Sequence, residues 1–203
     1  MPQDGRKRII VGITGASGAI YGIELLKALG VQGVETHLIV SDSGRRTIEI
    51  ETQLSVGEVE KLASVVHDWR DIGGSVASGS FLTEGMAVIP CSIKTLSAIV
   101  HSYNDNLLVR AADVCLKERR TLVLVVRETP LHLGHLRMLC TATELGAVIL
   151  PPIPGFYHLP KSIHDLISQT LGKILDQFHI PHELSRRWGE PCTGSEPPAT
   201  TGL

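Results

Sequence analysis

The stretch from Arg8 to Gly22, RIIVGITGASGAIYG, decides the fold of this chain. A short apolar run, Ile9 to Val11, leads into a glycine-rich turn, and a helical pattern follows from Ala19 to Leu29. Strand, glycine-rich turn and helix in this order are typical of a phosphate-binding βα unit, because glycines let the backbone approach an anion and the helix start favours negative charge. We interpret the turn as a cradle for a nucleotide phosphate. Tight packing of the helix on the strand is the alternative.

The spacing of the glycines argues against a dinucleotide. The dinucleotide fingerprint is G-x-G-x-x-G, whereas this turn reads Gly12-x-x-Gly15-x-x-Gly18. A mononucleotide is therefore favoured over NAD. Ser17 stands at the helix start, where serine usually serves as an N-cap, and its hydroxyl could also face a ligand.

Length and composition indicate one domain with no strongly charged partner. The chain has 203 residues, enough for one sizeable core, and its formal net charge is −2, so neither nucleic acid nor a membrane surface is expected to bind. The cysteines (Cys91, Cys115, Cys140 and Cys192) have no metal-site spacing, which favours reduced thiols in a cytoplasmic protein. We expect the last three to be buried or to lie in the tail.

Several apolar runs end in small polar or charged residues. The runs and their ends are Val34–Val40 with Ser41-Asp42, Met86–Pro90 with Cys91-Ser92-Ile93-Lys94-Thr95, and Thr121–Val126 with Arg127-Glu128. The carboxyl ends of parallel strands meet at one edge of a sheet, so the glycine-rich turn and the Cys91–Thr95 segment can build one site there. Arg127 and Glu128 are favoured as functional residues, because charges directly after a buried strand are costly unless they are used. Asp42 could hold a ribose there, although strand ends favour aspartate for turn reasons as well.

The alternation of strands and helices predicts a doubly wound α/β domain with a mostly parallel sheet. The expected helices after the first are Ser43–Glu51, a segment from Ser55 to Ala63, one from Leu96, Asn106–Arg120, His132–Leu145 and Ser162–Phe178, with a loop over Asp71–Gly79 and a last strand at Gly146–Leu150. His132 and His135 lack a third ligand in the sequence, so we expect no metal site. The composition after Trp188 predicts a domain over 1–190 and a disordered tail over 191–203.

Six motifs then point to a family. They are GITGASGAIYG, PCSIKTL, RAADVCLKERR, LVVRETPLHLGHL, GAVILPPIPGFYH and RRWGE, in this order between Lys7 and Glu190. Together they resemble the UbiX flavin prenyltransferases. The resemblance implies a flavodoxin-like, Rossmann-type fold, a homododecamer, and metal-independent transfer of a dimethylallyl group from dimethylallyl phosphate to N5 and C6 of reduced FMN. It further implies that the product, prenylated FMN, is delivered to a UbiD-type decarboxylase, in many bacteria for ubiquinone synthesis or aromatic acid decarboxylation.

The resemblance also assigns residues. For FMN binding it implies Gly15, Ala16, Ser17, Ser41, Ser92, Ile93, Lys94, Thr95 and Arg127. For dimethylallyl phosphate it implies Arg110, Lys117, Arg127, Glu128, Tyr157, Lys173 and Trp188, contributed by more than one subunit. Ser17, Glu51 and Glu128 are the catalytic candidates: Glu128 as an acid on the phosphate, and Ser17 with Glu51, or the departing phosphate itself, as the route for a proton. Lys173 replaces an expected arginine, which keeps the charge but loses bidentate geometry.

Three other classes of protein share features with this sequence. A flavin-dependent cysteine decarboxylase of the same fold would carry a PASANT-like loop, where this chain has PCSIKT. A short-chain dehydrogenase could use Tyr157 and Lys161 as Y-x-x-x-K, but Pro160 would break the required helix. A non-enzymatic FMN carrier would leave the basic residues Lys117 and Lys173 unexplained.

Overall fold

A six-stranded sheet forms the centre of the protein. The structure, a computed structural model, describes residues 5–184. The strands are β1 (Arg8–Ile13), β2 (Glu35–Val40), β3 (Val65–His67), β4 (Gly85–Cys91), β5 (Thr121–Val126) and β6 (Val148–Ile149). They lie in the order β3-β2-β1-β4-β5-β6, and every neighbouring pair is parallel. The predicted doubly wound α/β fold is confirmed, with a sheet that is parallel throughout rather than mostly so.

Helices cover both faces of this sheet. They are α1 (Ala19–Val31), α2 (Asp42–Glu51), α3 (Val56–Glu60), α4 (Ile93–Val100), α5 (Leu107–Lys117), α6 (Leu133–Glu144) and α7 (Ile163–Gln177). A 3-10 turn lies at Ser75–Ala77. Among residues 5–184, no helix has the length and apolar character needed to cross a bilayer.

The strand runs are apolar because both faces of the sheet are covered. Successive residues of one strand enter different cores: Ile9 and Val11 pack with α1 and α7, whereas Ile10 packs with α4 and α5. All seven residues of β4 are buried, as expected for a central parallel strand. The uninterrupted apolar pattern of these runs therefore reflects two-sided burial.

The order of the strands reverses between β1 and β4. The chain proceeds outward from β1 to β2 and β3, then crosses to the other side of β1 and proceeds outward through β4, β5 and β6. At such a switch point the connections leave the two strands in opposite directions, and a crevice opens beyond their carboxyl ends. The glycine-rich turn after β1 and the Ser92 segment after β4 both lie at this crevice.

The structure corrects several sequence-based boundaries. α4 begins at Ile93 rather than at Leu96, because Ser92 caps it. The helix expected over 55–63 is limited to Val56–Glu60. The short strand β3 was not predicted, because it has only three residues and two of them are exposed. Cys140 is exposed, contrary to the expected burial, because it lies on the outer side of α6, whereas Cys115 is buried as expected. Cys192 and the predicted tail lie outside the described residues.

Candidate active site

A cavity of about 640 Å³ opens at the switch point between β1 and β4. This volume lies in the usual range for small-molecule sites. Its walls come from the turn after β1, the start of α2, the loop after β3, the first turns of α4, and the segment that leads into α5. The lining residues predicted from the sequence are Gly15, Ser41, Ser92, Lys94 and Thr95.

The N-termini of two helices meet at this cavity. Ser41 caps α2 by accepting a hydrogen bond from the Gly44 N–H at 3.0 Å, and Ser92 caps α4 by accepting one from the Thr95 N–H at 3.3 Å. A helix N-terminus favours an anion through its free N–H groups and its dipole. The exposed Lys94 adds a positive charge to the same wall. The cavity is therefore suited to a phosphate group.

Gly15 completes the cradle. A Cβ atom at this position would lie far inside the contact distance of the Ser43 Cβ atom, so only glycine lets the turn pack against the start of α2. Gly22 serves the tight packing that was the alternative interpretation of this stretch, because a Cβ there would lie 2.5 Å from the carbonyl oxygen of Ile89. Both interpretations, ligand binding and tight packing, therefore hold, but for different glycines. Gly15 borders the cavity, and Gly22 allows α1 to pack closely on β4.

Thr14 joins the ends of the two switch-point strands and was missed by the sequence analysis. Its buried hydroxyl donates to the Pro90 carbonyl at 2.7 Å and accepts from the Ser92 N–H at 2.8 Å. The hydroxyl thereby fixes the Ser92 segment against the glycine-rich turn. A threonine directly after an apolar strand run was the available signal.

Glu51 caps the helix that follows the glycine-rich turn. Its Oε2 atom accepts hydrogen bonds from the Gly18 N–H at 2.7 Å and the Ala19 N–H at 3.1 Å. Partial burial raises the pKa of Glu51. Hydrogen bonds from the Ser17 hydroxyl and from those two N–H groups, with the charge of Arg127, lower the pKa more, so that it lies below its ordinary value. Glu51 is therefore a carboxylate that orients Ser17.

Arg127 and Glu128 follow β5 at the same sheet edge. The Arg127 N–H donates to the Cys91 carbonyl at 3.2 Å, which ties the end of β5 to the end of β4. Glu128 accepts a hydrogen bond from the Thr129 N–H at 3.0 Å, and both charged side chains are exposed. Burial raises the pKa of the neighbouring Cys91 thiol far above its ordinary range, so Cys91 is not a nucleophile at neutral pH.

The remaining substrate candidates are not all at this edge. Lys117 ends α5, shortly before β5 begins at Thr121, and pairs with Glu118, whereas Arg127 follows β5 at its other end. A strand of six residues spans about 20 Å, so Lys117 and Arg127 of one chain stand at opposite edges of the sheet. Lys173 lies in the second half of α7, whose end reaches the beginning of β1 through hydrogen bonds from the Lys7 ammonium.

Two further candidates for substrate binding, Arg110 and Tyr157, form hydrogen bonds with other residues of the same chain. The Arg110 guanidinium donates to the Ala77 carbonyl at 3.2 Å and to Asp113 at 3.1 Å. The Tyr157 hydroxyl accepts a hydrogen bond from the Gln169 amide at 3.1 Å. Trp188 lies outside the described residues. Within the described part of the chain, no cluster of three or more His, Cys, Asp or Glu residues could hold a metal ion.

Trp69 forms a cavity wall that was also missed by the sequence analysis. Its indole N–H donates to Asp42 Oδ1 at 3.0 Å, and the guanidinium of Arg70 lies over its ring, 4.9 Å from the centroid. Arg70 also pairs with the other oxygen of Asp42. Both oxygens of the carboxylate considered for a ribose therefore have partners.

Fold and site together define a nucleotide-binding α/β protein with an anion site at a topological switch point. The Flavoprotein family model matches residues 2–174. The flavin prenyltransferase UbiX of Salmonella typhimurium is 62% identical over 185 residues, which cover 90% of this chain and 98% of that protein. The chain therefore belongs to the UbiX family of flavin prenyltransferases, as the six motifs indicated.

Two solved structures agree with this assignment. One is the crystal structure of AnUbiX in complex with FMN and dimethylallyl pyrophosphate, with a TM-score of 0.90 and 49% identity, covering 91% of this chain and 98% of that one. The other is a dodecameric FMN-dependent UbiX-like decarboxylase from Escherichia coli O157:H7, with a TM-score of 0.87 and 46% identity, covering 90% and 100%.

Proposed function

We propose that this enzyme transfers the dimethylallyl group of dimethylallyl phosphate to N5 and C6 of reduced FMN, and that the prenylated FMN serves a UbiD-type decarboxylase. The observation that carries the proposal is the switch-point cavity, where two helix N-termini and Lys94 face a space of about 640 Å³. Ser17, Glu51 and Arg127 interact with one another outside the lining of this space, with Ser17 and Arg127 in the segments that follow β1 and β5. A cytoplasmic location is proposed with it, because Cys91 and Cys115 are buried free thiols.

FMN suits the cavity by charge and by size. Reduced FMN supplies the nucleophilic N5, the neighbouring C6 and a broad π surface for the five-carbon group. The residues proposed to hold it are Gly15, Ala16, Ser17, Ser41, Ser92, Ile93, Lys94, Thr95 and Arg127. Their backbone N–H groups and hydroxyls can bind the phosphate and ribityl oxygens, and Arg127 is proposed to contact both the flavin and the second substrate.

Charge on the leaving phosphate is the second requirement of the reaction. As the bond between the allyl carbon and the phosphate oxygen breaks, negative charge grows on the phosphate, and donors placed in advance stabilise it. We propose Arg127 and Tyr157 for this role, with Glu128 passing a proton to the phosphate. Bond formation at N5 and at C6 would each release one proton, and the inner alkene carbon of the dimethylallyl group would take up one, so that in total one proton leaves with the phosphate and Glu128 is restored. The Ser17 hydroxyl, oriented by Glu51, would relay the proton lost from C6. The low pKa of Glu51 suits orientation better than storage of that proton, so the phosphate is the better final acceptor.

Lys117 and Lys173 are proposed to reach the site from neighbouring subunits of a homo-oligomer, for which a dodecamer is the proposed size. Each stands toward the opposite edge of the sheet from Arg127 of its own chain. An exposed apolar band supports the assembly: Ile153 is 75% exposed, Phe156 65%, Leu159 80% and Ile163 77%. Apolar surface of this extent on adjacent segments is typical of a subunit interface. Arg110 and Trp188 are proposed to support the same substrate site.

Subunit complementation tests the shared site. Lys117→Ala and Arg127→Ala variants, each inactive alone, are co-expressed with different tags, and the doubly tagged oligomer is purified. If each site combines the two residues from two chains, about a quarter of the sites in a random mixture regain both. Wild type co-expressed with the double variant is the control for mixing. Absence of any recovered activity would contradict a site shared in this way.

An FMN carrier would bind only the flavin, whereas a prenyltransferase must also bind dimethylallyl phosphate. Binding of this second substrate therefore distinguishes the two functions. Dimethylallyl phosphate added to the FMN-bound protein should raise its melting temperature in a concentration-dependent manner, because a ligand that binds only the folded state stabilises it. Inorganic phosphate at the same concentration is the control. No protection beyond that given by phosphate would favour the carrier or a decarboxylase.

A further inference from the structure

Three residues on the β2 side of the cavity form a clamp, which we call the Trp69 clamp: Trp69, Asp42 and Arg70. The indole N–H donates to one oxygen of Asp42, Arg70 pairs with the other, and the guanidinium lies over the ring. The carbonyl oxygen of Trp69 accepts a hydrogen bond from the Leu107 N–H at 2.8 Å, which fixes its backbone to the start of α5. The ring is thus held at its edge, over its face and through its backbone.

The clamp includes the residue that would bind the second half of a dinucleotide. In sheets with this strand order, a dinucleotide lies across the switch point, and an acidic residue after β2 binds the ribose of the adenosine half. Asp42 is that residue here, directly after Ser41, yet both of its oxygens are engaged within the clamp. Trp69 and Asp42 also line the cavity wall on this side. The carboxylate that would bind the second ribose is therefore already engaged by Trp69 and Arg70.

We propose that the Trp69 clamp is the specificity determinant that limits this cavity to a flavin mononucleotide and excludes FAD. The proposal rests on FMN being the ligand of the cavity, as argued above. Trp69 forms a steric wall, and Asp42 cannot bind a second ribose because its oxygens already have partners. Both effects disfavour FAD, the longer ligand, and neither adds a contact to FMN. The glycine spacing of the turn after β1, which lacks the dinucleotide fingerprint, agrees with this selectivity.

Calorimetric titration of the full chain with FMN and with FAD tests the proposal. The variants are Trp69→Ala, which removes the wall, and Asp42→Asn, which weakens the clamp at a half-exposed side chain and does not endanger the core. Glu49→Gln, an exposed carboxylate change on the same helix as Asp42, is the matched control. Circular dichroism and thermal melting confirm that each variant is folded.

We expect wild type to prefer FMN over FAD by roughly a hundredfold or more, and Trp69→Ala to reduce that preference by about tenfold or more through tighter FAD binding. The Kd for FMN should change less than about threefold, Asp42→Asn should give an intermediate preference, and Glu49→Gln should match wild type. Equal binding of both flavins by wild type would overturn the inference. An unchanged preference in Asp42→Asn and in folded Trp69→Ala would overturn it as well, while leaving the proposed function intact. Failure of wild type to bind FMN would overturn both.

Discussion

Replacement of Glu51 probes how the end of one helix supports the phosphate-binding turn of another. Glu51 is the last residue of α2, and its carboxylate accepts hydrogen bonds from the N–H groups of Gly18 and Ala19 at the start of α1. Gly18 itself adopts a left-handed conformation and provides no side-chain cap. Glu51→Ala removes both acceptors and the negative charge, whereas Glu51→Gln keeps an acceptor oxygen and removes only the charge.

The expected loss follows from capping energetics. Loss of an N-cap acceptor lowers the free energy of unfolding by about 0.5–2 kcal/mol, and loss of a charge at a helix N-terminus by about 0.3–1 kcal/mol. Glu51 is exposed, so solvent screening reduces these contributions. We expect the free energy of unfolding to fall by about 1–2 kcal/mol in Glu51→Ala and by about 0.5 kcal/mol in Glu51→Gln. For a chain of this size, 1 kcal/mol shifts the melting temperature by about 2–4 °C.

The pKa of Glu51 gives the prediction a pH signature. Because the folded-state pKa lies below the ordinary value, the carboxylate stabilises the fold fully above the unfolded-state value of about 4.3. This contribution is lost as the pH falls through the folded-state value. The difference between wild type and Glu51→Gln should therefore be largest at neutral pH and should shrink toward about pH 4 and below.

The assay is thermal and urea unfolding at fixed protein concentration, since the stability of an oligomer depends on concentration. Glu49→Ala, two positions earlier on α2 and exposed, controls for removal of a carboxylate and should change stability by less than about 0.5 kcal/mol. If Glu51→Ala matched Glu49→Ala, or if its effect were the same at both pH values, the capping role would be wrong.

Three further substitutions test separate parts of the site. Glu128→Gln should leave the Kd for FMN within about threefold but slow prenyl transfer by about a hundredfold or more, measured by single-turnover kinetics. Thr14→Val leaves the Ser92 N–H without its acceptor, so unfolding should become easier by about 1–3 kcal/mol, measured in urea, with weaker FMN binding. Gly15→Ala should weaken FMN binding by about tenfold or more in calorimetric titration, whereas Gly30→Ala on open helix surface should stabilise by about 0.5–1 kcal/mol.

Each of these predictions has a result that contradicts it. Full turnover in Glu128→Gln would remove the acid role. Normal stability in Thr14→Val would show that the strand ends do not depend on the shared hydroxyl. Equal FMN affinity in Gly15→Ala and Gly30→Ala would mean that the cradle next to α2 is not part of the flavin site.

The sheet could be predicted from the sequence because its signal is local. β5 was predicted with its exact bounds, since a parallel strand covered on both faces must be apolar at every position. β3 was missed because it has only three residues on the edge of the sheet. The convergence of Gly15, Ser92 and Lys94 on one cavity also followed from the rule that carboxyl ends of parallel strands meet at one edge.

The contacts that complete the site could not be predicted in this way. Trp69 reaches Asp42 across 27 positions of the chain, and Glu51 reaches Gly18 across 33, so neither contact leaves a local pattern. The importance of Glu51 and Glu128 came from the family motifs and not from periodicity. The same motifs assign Lys117 and Arg127 to one site, although a single chain holds them at opposite edges of its sheet. The proposed assembly of several chains would bring the two residues together.

The central claim is the transfer of a five-carbon group to the flavin, and the mass of that flavin tests it most directly. The purified protein is mixed with reduced FMN and dimethylallyl phosphate under anaerobic conditions. The flavin is then extracted, and its mass is measured by mass spectrometry. We predict a gain of one C5H8 unit that depends on the protein and is lost in Glu128→Gln at short times. Unchanged FMN, recovered from protein that binds it tightly, would contradict the account.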